Sequence, residues 1–206
     1  FVTRTHALTA HARDIKPGEW RDVGNRFLPC LFNELQDFVE VELAWWQIAW
    51  NKEDRPKYKV PFWAHGWWRV RTWRCPQAGL DNLEWQRTLR WKEDDGFQPG
   101  DDQIGQLTPQ AINAQEILDL YTWWTTVYHQ RPDPHDASGW SAWCDRRRDK
   151  EGAHPIWSLG GEDETVDEKE ESKRILEVLR KIEEDYEAED EAMMIRLIKI
   201  RNSLWT

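Results

Sequence analysis

Fifteen of the sixteen tryptophans lie between Trp20 and Trp157, and the large apolar residues around them recur at helical spacing. Each of these rings gains most when it is taken out of water, so the first 160 residues must build a sizeable aromatic core. From 31 to 50, apolar residues fall at Leu31, Phe32, Leu35, Phe38, Val39, Trp45, Trp46, Ala49 and Trp50. That is close to the i, i+3, i+4, i+7 pattern, with Glu34, Asp37, Glu40 and Gln47 at other positions. The spacing predicts a long amphipathic helix, with Pro29 before it and Asn51 and Pro56 after it as stops. A second helix is predicted from Thr108-Pro109 to Tyr128, because Thr caps and Pro suits the first helical position. Ala111, Ala114, Ile117, Leu118, Tyr121, Trp124 and Val127 mark its apolar face. A third is predicted over 80–91, carried by Leu80, Leu83, Trp85 and Leu89. No stretch alternates with period two between hairpin dipeptides, so strands are at most minor. The fold class is mainly α: a Trp-rich helical body followed by a long amphipathic C-terminal helix.

Charge divides the chain. Residues 1–160 carry 20 basic and 23 acidic side chains, 161–192 carry 5 and 15, and 193–206 carry 3 and none. The net charge of −10 therefore resides in one 32-residue stretch. With Leu159-Gly160-Gly161 as a hinge, the expected division is a body over 1–160 and a charged arm over 161–206. At 206 residues the chain is long enough to bury a core without disulfides or a structural metal. Cys30, Cys75 and Cys144 stand far apart with no C-x-x-C pair, which excludes a disulfide scaffold or an ordinary zinc site as the default. No apolar run is long enough to span a bilayer and no signal-peptide pattern is visible, so no membrane association is expected.

In the arm, Ile175, Leu179, Ile182 and Tyr186 are spaced 4, 3, 4, and Met193, Leu197, Ile200 and Leu204 repeat that spacing after a register slip. A helix from about Glu168 to Asn202 follows. Its second half has little polar surface and must be buried, either on its own body or against another chain. Under the second reading Met193, Leu197, Ile200 and Leu204 form an oligomer interface.

Two constellations offer chemistry. The segment 63–74 interleaves Trp63, Trp67, Trp68 and Trp73 with Arg69, Arg71, Arg74 and His65. Tryptophan faces stack on bases and Arg forks bind phosphates, so His65, Trp67, Trp68, Arg69, Arg71 and Arg74 are candidate residues for a nucleotide-like ligand. An amphipathic helix with outward arginines has the same pattern. General nucleic-acid binding is not expected, because the body lacks a basic excess. The other constellation pairs Glu34 with Asp37 and Glu116 with Asp119, each pair three apart on one helix face. Two such helices facing each other would present four carboxylates to magnesium or manganese. Pairs of this kind are also ordinary solvated helix faces. His6, His11, His65, His129, His135 and His154 show no metal-ligand spacing, and no nucleophile elbow, phosphate loop or dinucleotide fingerprint occurs. No catalytic residue is assigned.

The segments Thr108-Pro109-Gln110-Ala111, Glu116-Ile117-Leu118 with Leu120-Tyr121-Thr122-Trp123-Trp124, Arg131-Pro132-Asp133-Pro134, Asp136-Ala137-Ser138-Gly139-Trp140 and the ending from Ile195 to Thr206 resemble a family of tailed-bacteriophage proteins with no assigned activity. The resemblance spans roughly 30–206 and implies a viral origin, with the protein in the infected bacterial cytoplasm or in the virion. It carries no catalytic residues over. The Glu116-x-x-Asp119 pattern is separately similar to a motif of the all-alpha NTP pyrophosphatases, whose denser glutamate set is matched only in part by Glu34, Asp37, Glu40 and Glu42. The leading expectation is a non-enzymatic, self-associating phage interaction protein that binds a virion or host protein or a nucleotide-like ligand, with no cofactor. The alternatives are a magnesium- or manganese-dependent nucleotide hydrolase and a structural virion component.

Overall fold

The computed structural model describes residues 22–50, 53, 55–61, 74–96, 101–151 and 165–204. Among these the protein is mainly helical, and the only extended pairing is a single antiparallel bridge between Arg90 and Leu107. No described helix is long and apolar enough to cross a membrane. The chain divides into two compact units, Phe1–His129 with Met193–Thr206, and Gln130–Ala192. The hinge expected at Gly160-Gly161 lies outside the described residues.

The first unit is organised by one helical rod, α1 (Gly24–Asp37), a π-helical segment (Phe38–Leu43) and α2 (Ala44–Trp50). Pro29, expected as a stop, instead lies buried inside α1, which begins at Gly24. Phe32, Leu35, Phe38 and Val39 are buried as the spacing predicts, but Leu31, Trp45, Trp46 and Ala49 are only partly buried and Trp50 is 75% exposed; in the second half of the rod Leu43, Ala44 and Ile48, which the spacing does not single out, take the buried positions. A π turn withdraws a carbonyl from the regular ladder, and such a group must find another donor. Here the Glu40 carbonyl accepts from the Cys75 N–H at 2.7 Å, which fixes the start of α3 (Pro76–Gln86) against the rod.

Helix α3 begins four residues before the expected start, with Pro76 in its first turn, and ends five residues before the expected finish. Beyond it the chain turns extended: Trp91 N–H donates to Gln106 O at 3.0 Å and Thr108 N–H to Leu89 O at 3.2 Å. This pairing takes Leu89 and Trp91 out of the helix expected over 80–91. Helix α4 (Pro109–Thr122) starts as read from sequence, with the Thr108 hydroxyl accepting from Ala111 N–H at 3.1 Å. It continues through a π segment (Trp123–Val127) and a 3-10 turn (Tyr128–Gln130). The wider π turn lets the adjacent Trp123 and Trp124 both be buried, each packed on Phe32 with ring centroids 4.9 and 5.4 Å away.

In the second unit, α5 (Pro134–Ser138) is capped by the Asp133 side chain and ends at Gly139, whose φ of 84° suits glycine. Helix α6 (Trp140–Glu151) stacks Trp140 on Trp143 at 5.0 Å. Helix α7 (Val166–Ile200) opens with a capping box, in which Thr165 Oγ1 accepts from the Glu168 N–H while Glu168 accepts from the Thr165 N–H. Within this unit Arg131 forks onto Glu189 and Asp190, at 2.6 Å each, and lies over the Tyr186 ring. Burial holds the Asp190 carboxyl above the usual carboxylate range despite the Arg131 guanidinium beside it. Among the described residues of this unit, Leu179 and Trp143 are the buried apolar ones.

Candidate functional site

The last turns of α7 belong to the first unit. Leu197 and Ile200 are buried in its core with Phe32, Leu35 and Trp124, and Met193 and Leu204 pack against the same cluster. Of the four residues expected at an oligomer interface, Leu197 and Ile200 are therefore core residues of the first unit, and Met193 and Leu204 are partly buried against it. The physical reason is that the 4-3-4 seam finds apolar partners on α1 and α4. Ile195 and Ile198 remain 45% and 49% exposed on other faces of that end.

The candidate acidic quartet is divided between arginines. Arg74 donates to Asp37 and, at 2.6 Å, to Glu40. Glu40 is the deepest of these groups, its side chain 4% exposed, and it also accepts from Tyr121 Oη at 2.9 Å and Gln36 Nε2 at 2.5 Å. A carboxylate buried to this degree needs such partners, and the bonds from Arg74, Tyr121 and Gln36 satisfy it. Arg196 clamps Glu116 from Nε at 2.7 Å and Nη2 at 3.0 Å, and reaches Asp119 at 3.9 Å. The hydrogen bonds from Arg196 hold the Glu116 carboxyl below the usual range, against the opposing effect of burial. Glu34 is exposed. Among the described residues no group of three or more His, Cys, Asp and Glu is arranged to hold a metal ion.

Of the aromatic-basic candidates, His65, Trp67, Trp68, Arg69 and Arg71 lie outside the described residues. Arg74 is described, and it is engaged with Asp37 and Glu40 as above.

The described residues of the first unit also form a cavity and a groove that sequence reasoning did not single out. The cavity has a volume of about 400 Å³, and its lining includes Trp46, Trp85, Asn82, Gln86, Asn113 and Ser203. The carboxamides sit at helical spacing, Asn82 and Gln86 four apart on α3 and Gln110 and Asn113 three apart on α4, a signal present in the sequence but unremarkable without the fold. The groove has a volume of about 650 Å³, and in it Arg87, Arg90, Arg196 and Lys199 surround Leu107 and Ile112. Its lining holds these four cations and one carboxylate, Glu116. Leu107 and Ile112 are 41% and 57% exposed. Arg196 and Lys199 lie one turn apart on α7, whereas Arg87 and Arg90 reach the groove because the chain leaves α3 and pairs with the residues before α4. No protein-family model, curated protein or solved structure matches this chain.

Proposed function

We propose that the protein is a non-enzymatic, self-associating interaction protein of a tailed bacteriophage, and that the cation-lined groove of the first unit receives an acidic helix. The observation that carries this reading is the placement of exposed Leu107 and Ile112 among Arg87, Arg90, Arg196 and Lys199. The lining is net positive even though Arg196 is clamped on Glu116 and Arg87 is bridged to Glu84, and exposed apolar groups beside such an excess favour a partner that presents the opposite charge and covers the apolar floor.

The chain itself supplies such a partner. Between 183 and 191 seven of nine residues are acidic, and Glu183, Glu184, Asp185, Glu187 and Glu191 are exposed on α7. Every copy carries both the groove and the acidic stretch, so a two-fold pair can form two equivalent contacts. The basic groove of one copy then relieves the like-charge repulsion within the acidic helix of the other.

Charge reversal tests the pairing. Lys199→Glu and Glu187→Lys, made separately, are each expected to weaken self-association. Mixing the two variants is expected to recover it, since one native contact and one exchanged contact become available. Association that neither variant affects, or that mixing leaves unrecovered, contradicts the reading and directs attention to a virion or host partner.

A further inference from the structure

We infer that the cavity lined by Trp46, Trp85, Asn82, Gln86 and Asn113 binds a neutral planar heteroaromatic ligand of the nucleobase type. This goes beyond the groove, which takes an acidic partner. The two differ in chemistry: four arginines and lysines line the groove, whereas no charged side chain lines the cavity among the described residues.

An uncharged lining discriminates by what it fails to offer. A phosphate or carboxylate entering it would lose hydration and meet no counter-charge. A purely apolar molecule would leave the carboxamides without water or partners. The ligand that suits both limits is flat, uncharged and edged with donors and acceptors. Trp85 is 56% exposed, so its ring provides stacking surface at the open side, and Trp46, itself stacked on Trp50 with centroids 5.6 Å apart, adds a partly buried aromatic wall. Phe38, Leu43 and Ile117 supply apolar wall.

The polar groups are partly pre-set. Gln86 Nε2 donates to Asn82 Oδ1 at 2.7 Å, and Asn113 Nδ2 donates to Ser203 Oγ at 2.7 Å. These bonds orient both amides and leave the Gln86 and Asn113 carbonyl oxygens to accept from a ligand edge. Asn and Gln side chains suit such edges because each carries a donor and an acceptor side by side, as in their bidentate pairing with adenine. The volume of about 400 Å³ is within the range of small-molecule sites.

Isothermal titration of the full-length chain with adenosine, guanosine, cytidine and uridine, one at a time, tests this. Saturable binding of at least one nucleoside is expected, with Kd below about 1 mM. That affinity should fall about tenfold or more in Trp85→Ala or Gln86→Ala, each confirmed to be folded by circular dichroism, and stay unchanged in Lys199→Glu. No saturable heat from any of the four, or an affinity that neither cavity substitution moves, overturns the inference.

Discussion

Gly79 on α3 lies so close to the π segment of the central rod that a Cβ placed on it would stand 1.9 Å from the Val39 carbonyl oxygen. The neighbour is backbone, held in a continuous helix, so it cannot swing aside as a side chain would. Gly79→Ala therefore sets two effects against each other: a helix-propensity gain of about 1 kcal/mol, and the displacement of α3 from the rod. The second wins, and we expect a net destabilisation of about 2 kcal/mol by chemical denaturation. A Gly79→Ala variant at least as stable as the parent would show that α3 does not approach the rod in this way.

The Glu40–Arg74 contact gives the second prediction. Glu40 stays buried when its guanidinium partner is removed, so Arg74→Ala should cost about 3 kcal/mol. Arg74 is itself one-third exposed, which keeps the value at the lower end of what breaking a buried pair costs. Replacing both partners, Glu40→Leu with Arg74→Met, should cost less than Arg74→Ala alone, since Asp37 loses Arg74 in both variants but only Arg74→Ala leaves the buried Glu40 charge without it. A double variant less stable than Arg74→Ala would contradict the assignment of Glu40 as a buried charge.

Acid titration addresses the Glu116–Arg196 clamp. The Glu116 pKa is lower in the folded chain than in the unfolded one, chiefly through the hydrogen bonds from Arg196. The unfolded state therefore binds its proton first, and the clamp's contribution is present above the unfolded glutamate pKa of about 4.3 and lost as pH falls through the folded value. Denaturation between pH 7 and pH 3 should show a smaller acid-dependent loss of stability in Glu116→Gln than in the parent. Identical pH profiles would mean that the clamp does not form in solution.

Leu197 separates a core residue from an interface residue. It is 4% exposed within its own chain, so Leu197→Ala should destabilise by about 3 kcal/mol. The loss should be the same at every protein concentration, which dilution series of denaturation curves can check. A loss that vanishes at high dilution would place Leu197 between chains.

The parts of this fold set by local chemistry were open to reading from sequence. Thr108 and Pro109 fixed the start of α4, and the 4-3-4 spacing of Met193, Leu197, Ile200 and Leu204 marked an apolar seam, though not whether its partner was the same chain. What depended on distant residues was not readable. The π segments follow from packing, since the Glu40 carbonyl is satisfied by Cys75, 35 positions away, and Trp123 and Trp124 both turn toward Phe32. Trp85 misled because it fits a helical period yet stands on the exposed side of α3. Leu89 fits the same period and Trp91 closed the expected helix, but their backbone is claimed by Thr108 and by Gly105 and Gln106. The groove and cavity escaped notice for a related reason: their polar residues come from separate elements, and each looks like an ordinary surface group on its own.

Sedimentation equilibrium of the full-length chain at micromolar concentration tests the proposed groove-to-helix pairing most directly. One chain has a mass of 24.7 kDa. In about 0.05 M salt the account predicts a mass well above one chain, falling toward the single-chain value in about 0.5 M salt as the exposed charges are screened. A single-chain mass at the lower salt, or an oligomer indifferent to salt, would contradict it.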